Sequence, residues 1–140
     1  MPLIGLDKVK KAMNIDIYLQ MNNDIKGVYL AGLTNIIKEA PVDSGRLRNN
    51  FFLSVGSPST KLTNVSGSAN FNQLNKLPKR VLNRKLYFTN NLPYAVTLEY
   101  GGYPIPGGDL TVGGFSKQAP NGWVRSTLIK MANKIRSLSV

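Results

Sequence analysis

Cysteine and histidine are both missing from this 140-residue chain. Without cysteine there is no disulfide framework, no thiolate nucleophile and no cysteine-ligated zinc or iron–sulfur site. Without histidine the Ser–His and Cys–His nucleophile pairs are lost, together with the commonest metal ligand. Carboxylates are scarce too. Seven Asp plus Glu stand against eighteen Lys plus Arg, a formal net charge of +11. The acids are scattered, whereas acid–base and metal chemistry need them to converge. No apolar run approaches the roughly 18 residues of a membrane helix. Met1-Pro2-Leu3-Ile4-Gly5-Leu6-Asp7 leads straight into Lys8-Val9-Lys10-Lys11, with no signal-peptide stretch. The expectation is a chain made in a cytoplasm, with no catalytic residues, no metal, no cofactor and no membrane span.

What is present supports one domain over residues 1–140. A hydrophobic fraction of 42% is enough for a core at this length. Residues 1–43 carry five bases and five acids, residues 44–98 eight bases and no acid, and residues 99–140 five bases and two acids. The middle therefore holds most of the positive charge, and a partner with negative charge is the natural complement.

Periodicity places the elements. Ile25, Val28, Tyr29, Gly32, Leu33, Ile36 and Ile37 recur at three- and four-residue spacings, which predicts a helix over 17–39 that Pro41 ends. Residues 1–16 read as an arm or a separate short helix, with Leu6, Val9 and Met13 on one side. Leu47, Phe51, Leu53 and Val55 alternate with polar residues as a half-buried strand does, although Phe52 breaks the pattern. Residues 44–91 are expected to be β, with a long loop over about 57–80 and a second strand centred on Leu86-Tyr87-Phe88-Thr89. Tyr94–Tyr100 is a short element closed by Gly101-Gly102. Residues 101–118 are a Gly/Pro-rich loop, and 119–138 a final helix with Pro120 in its first turn. The fold class is α+β: a long N-terminal helix and a C-terminal helix packed on a small, mostly antiparallel sheet.

Local chemistry supplies candidates. Asp43-Ser44-Gly45 after Pro41 is a turn, with side chains that accept backbone N–H bonds and a glycine that permits φ > 0. Lys76, Lys79, Arg80, Arg84 and Lys85 put five bases in ten residues, flanked by Phe71 and Tyr87. They suit nucleic-acid phosphates or an acidic partner. Glu99 has no neighbouring acid and reads as half of an ion pair, with an arginine of residues 46–48 or with Arg125. The six glycines between 101 and 114 lack the G-K-[ST] ending of a phosphate loop. Trp123 is either core or an interface anchor.

Three segments occur in a familiar order. They are A-P-V-D-S-G-R-L-R over 40–48, N-N-L-P-Y-A-V-T-L-E-Y-G over 90–101, and Q-A-P-N-G-W-V-R-S-T-L over 118–128. Together they resemble the small neck or tail-completion proteins, the head–tail connectors of long-tailed double-stranded DNA bacteriophages. The likeness spans about residues 20–138 and departs from the pattern in 57–82, which is longer and more basic. The resemblance implies a virion protein of the head–tail junction without catalytic activity. Such a protein forms a homo-oligomeric ring, a hexamer or dodecamer. Adjacent neck, portal-adaptor and tail-tube or tail-terminator proteins would be its neighbours, with non-specific contact to packaged DNA. It further implies subunit-interface roles for Asp43, Arg46, Arg48, Glu99, Tyr100, Trp123 and Arg125. On that view the basic residues mostly face acidic groups of neighbours, and the loops 57–80 and 101–118 order on assembly. The rival reading is a small basic nucleic-acid-binding protein acting alone.

Overall fold

The computed structural model describes residues 4–42, 44–101, 115, 116 and 118–138, with side chains from residue 8 onward. Asp43 and residues 102–114 of the Gly/Pro-rich segment lie outside the described residues. The order is helix α1 (Ile4–Glu39), strand β1 (Phe51–Val55), a 3-10 turn (Asn72–Lys76), strand β2 (Leu86–Asn90), short helix α2 (Ala95–Tyr100) and helix α3 (Val124–Ser137). The architecture is α+β, with a two-stranded antiparallel sheet.

α1 is one helix of 36 residues, about 54 Å long at the usual rise. The short N-terminal helix expected to stand apart is continuous with the rest. No proline or glycine lies between Leu6 and Lys26, and each asparagine there costs at most about 0.7 kcal/mol of helix propensity. Ile25, Tyr29, Leu33, Ile36 and Ile37 turn into the core, as their spacing requires. Ala40, ahead of Pro41, is the first residue outside the helix.

The β region is shorter than the alternation predicts. Residues 46–49 form a turn, in which the Asn49 and Asn50 amides donate to the Arg46 and Leu47 carbonyls, and β1 begins only at Phe51. Phe51 pairs with Asn90 and Val55 with Leu86. Phe51 and Leu53 face the core, where Phe51 stacks on Phe88 at 5.1 Å. Phe52 is buried as well, on the opposite face. There its strand partner Thr89 donates a hydroxyl hydrogen bond to Ser59, so the loop crosses that side of the sheet. A two-stranded sheet is marginal on its own. Here Leu74 and Leu77 of the 3-10 region, Val81, Leu92 and Trp123 complete its core.

α3 departs from expectation in two ways. It starts at Val124 rather than at residue 119, because Pro120–Gly122 form a turn with Gly122 at φ +77°. It also leans on α1 more than on the sheet. Thr127 is buried and its hydroxyl oxygen accepts from the Asn35 amide at 3.1 Å, while Gly32 lets Met131 lie against the α1 backbone. Val124 packs on the shared core, but Leu128 is 49% exposed. An apolar groove of about 560 Å³ separates Leu128 and Met131 from Leu86 and Phe88.

Candidate functional site

The first segment, residues 40–48, ends in a clip for the long loop. Gly45 takes φ +86°, and the Gly67 amide donates to the Ser44 carbonyl at 2.7 Å. A Cβ on Gly45 would collide with the Gly67 backbone, so turn chemistry and close approach both demand glycine. Arg46 Nε donates to the Thr63 carbonyl at 3.1 Å, and Arg48 donates through Nε and Nη2 to the Gly67 carbonyl. Asn50 is fully buried. Its amide donates to the Arg46 and Thr63 carbonyls, and its oxygen accepts the Thr63 N–H at 3.0 Å. Asn49 holds the Ser68 carbonyl and the Asn70 N–H.

The placement expected of Arg46 and Arg48 on a strand therefore needs correction. They do not project from a strand but sit half-buried in a turn, fastening their own chain. The reason is valence: carbonyls of a long loop need donors, and two guanidinium groups lie nearest.

The second and third segments meet at Glu99. Its carboxylate, 6% exposed, accepts the backbone N–H groups of Trp123 (3.1 Å), Val124 (2.9 Å) and Arg125 (3.0 Å). These are donors that the start of α3 leaves without intrahelical partners, and a negative charge suits that end of a helix. Arg125 completes the pair at 3.4 Å, and its Nη2 donates to the Glu99 carbonyl at 2.9 Å. Of the two ion-pair partners left open by the sequence, the structure selects Arg125. Its guanidinium also lies 4.3 Å from the centre of the Tyr100 ring, on a largely exposed edge. A Cβ on Gly122 would strike the Glu99 carbonyl oxygen, so this glycine makes the approach possible. The first segment joins the same neighbourhood. The Gln118 side chain accepts from the Val42 N–H and donates back to the Val42 carbonyl.

Of the two roles read for Trp123, the fold gives it the core. It is 3% exposed, and its indole N–H donates to the Ile36 carbonyl at 2.9 Å, so it fastens α3 to α1 inside the core. Glu99 is likewise buried, with its oxygens occupied. Of this group, Tyr100 and Arg125 remain at the surface. Asp43 lies outside the described residues.

Lys76, Lys79, Arg80, Arg84 and Lys85 are all exposed, and among the described residues the only ion pair is Arg125–Glu99. Their backbone is nonetheless held firmly. Asn22 of α1, 2% exposed, donates to the Lys79 carbonyl at 2.9 Å and accepts the Val81 N–H at 2.8 Å. Buried Leu77 and Val81 anchor the same stretch. Five unneutralised cations thus ride on a fixed scaffold beside the middle of α1.

The segment read from the sequence as an arm or short helix forms a further surface. The first five turns of α1 leave the body, with Val9, Met13, Ile15, Ile17 and Leu19 each 42–58% exposed. Val9, Met13 and Ile17 fall four residues apart on one side, a signal present in the sequence. Further along, α1 and α3 flank a groove of about 570 Å³ lined by Val28, Ala31, Gly32, Met131 and Leu138. Among the described residues no three acidic side chains gather into a metal-binding group, and no helix is long and apolar enough to cross a membrane. No family model, curated protein or solved structure matches the chain.

Proposed function

We propose that this chain is a structural subunit of the phage head–tail junction, a neck or tail-completion protein that works by packing against copies of itself and against neighbouring rings around the DNA path. The observation that carries the reading is the exposed apolar arm, residues 8–20 of α1, on a chain that otherwise has an ordinary buried core. Apolar surface of this kind is characteristic of a subunit whose working state is an assembly. The convergence of the three segments that resemble connector proteins supports it. They lock the helix–loop junctions of one body through Val42–Gln118 and Glu99–Arg125, with a cleft of about 440 Å³ between the first and third.

Immunogold labelling of phage particles with antibody against this chain tests the reading. Label at the junction between capsid and tail is the expected result, and lysates lacking the chain should contain unjoined heads and tails. Unlabelled particles that form normally without the chain would overturn it.

A second reading, a basic nucleic-acid-binding protein acting alone, is favoured by the five exposed cations between Lys76 and Lys85. It requires tight binding of the isolated chain to duplex DNA, with affinity falling steeply as salt rises.

A further inference from the structure

We propose that the free arm of α1 in one copy lies in the groove between α1 and α3 of the next copy, so that the chain associates with itself head to tail. The inference deepens the virion-subunit reading and rests on it for where such an assembly would act. The arm has the character of a helix that is covered in its working state. Val9, Met13 and Ile17 form one stripe, and Ile15 and Leu19 lie on another side, so no orientation in water hides its apolar surface.

The groove matches the arm in length, width and charge. Along α1 it runs from Asp24 to Glu39, a span of about 23 Å, and arm residues 4–20 span about 25 Å. Gly27 and Ala31, both exposed, keep its α1 wall low, which allows a second helix to come close. That wall also supplies the carboxylates Asp24 and Glu39, while the α3 wall supplies Lys130 and Lys134. The arm carries Lys10 on one flank of its Val9–Met13–Ile17 stripe and Asp16 on the other. One helix laid in the groove meets both walls with opposite charge. The other apolar groove, beside β2, is rimmed by Arg84 and Lys85 and would repel an arm bearing Lys8, Lys10 and Lys11. A second copy is the occupant because one sequence supplies both the matching length and the matching pattern of signs. Arm and groove are different surfaces of the molecule, so the contact is heterologous and closes into a ring when the rotation permits.

The chain has no cysteine, so an introduced pair reports on a single contact. Met13→Cys combined with Ala31→Cys should give, on oxidation, a ladder of covalent dimers and larger species. Met13→Cys combined with Arg80→Cys should give far less. In sedimentation, wild-type chain should self-associate and Met13→Asp should weaken that association about 100-fold, since it would place a charge in an apolar groove. Circular dichroism and thermal melts, taken at concentrations where the wild type is monomeric, should match the wild type, because Met13 touches none of the core. A wild-type chain that stays monomeric at ~1 mM, Met13→Asp associating as tightly as wild type, or equal cross-linking in both cysteine pairs would each overturn the proposal. None of these measurements involves phage particles. Cross-linking through the arm by a chain absent from virions would sink the virion reading alone, and a junction protein that fails these tests would sink the arm contact alone.

Discussion

Glu99 gathers three backbone donors that would otherwise point into a buried helix start, and its pairing with Arg125 is the lesser part of its work. The magnitudes separate the two roles. Removing one charged acceptor from buried amides costs about 2–3 kcal/mol, whereas an ion pair with a half-exposed arginine contributes about 0–1 kcal/mol. Glu99→Gln should therefore lower unfolding free energy by about 2–3 kcal/mol, and Arg125→Ala by less than about 1 kcal/mol, both read from urea denaturation at unchanged slope. An equal loss in the two variants would show that the pair, not the cap, carries the stability. Gly122→Ala should cost at least about 1–2 kcal/mol from its positive φ alone, and more once the Glu99 carbonyl is displaced. Trp123 offers a reporter for these experiments. As the only tryptophan, 3% exposed, it should emit well to the blue of free tryptophan and shift red on unfolding.

The loop and the arm are opposites among the elements. Residues 57–70 contain almost no buried apolar side chain, yet Arg46, Arg48, Asn49 and Asn50 hold them by their backbone. Arg46→Ala with Arg48→Ala should release the loop without unfolding the domain. Trypsin should then cut after Lys61 roughly 10-fold faster, while the urea midpoint barely moves, because local opening and global unfolding are separate equilibria. The arm has ordinary helical backbone and no core contact. Removing residues 1–19 should shift the melting temperature by no more than about 2 °C, since the core residues all lie beyond them. A drop of about 10 °C would mean that the arm folds back onto the body in solution.

For the whole molecule, the question is what the positive charge meets. Arg46 and Arg48 are committed to their own loop, so the clustered exposed charge of the middle region is that of Lys76, Lys79, Arg80, Arg84 and Lys85. Replacing Lys79, Arg80 and Arg84 by Glu should leave the melting temperature within about 2 °C, because all three are exposed and unpaired among the described residues. If these residues touch DNA, each lost phosphate contact should reduce the slope of log affinity against log salt by about 0.9. If they face acidic protein neighbours, DNA affinity should change little and the mutant lysates should accumulate unjoined heads and tails.

Periodicity and turn chemistry were enough to read the two long helices, the strand at Leu86–Phe88 and the φ > 0 turn at Gly45, because each depends on residues a few positions apart. Composition alone bounded the chemistry, since a chain without cysteine or histidine carries neither residue's nucleophiles or ligands. Other features depended on contacts across long stretches of chain. Glu99 and its donors are separated by 24–26 residues, and Val42 and Gln118 by 76. No local pattern says which distant donor a carboxylate will meet, so the choice of Arg125 belonged to the fold. The same holds for Arg46 and Arg48, whose alternation looked like a strand until the turn at 46–49 aimed them at loop carbonyls. An apolar stripe states which face avoids water but not what covers it. Whether Val9, Met13 and Ile17 were core or free surface, and whether α3 lay on the sheet or on α1, could be decided only by where the tertiary structure ran out of partners for them.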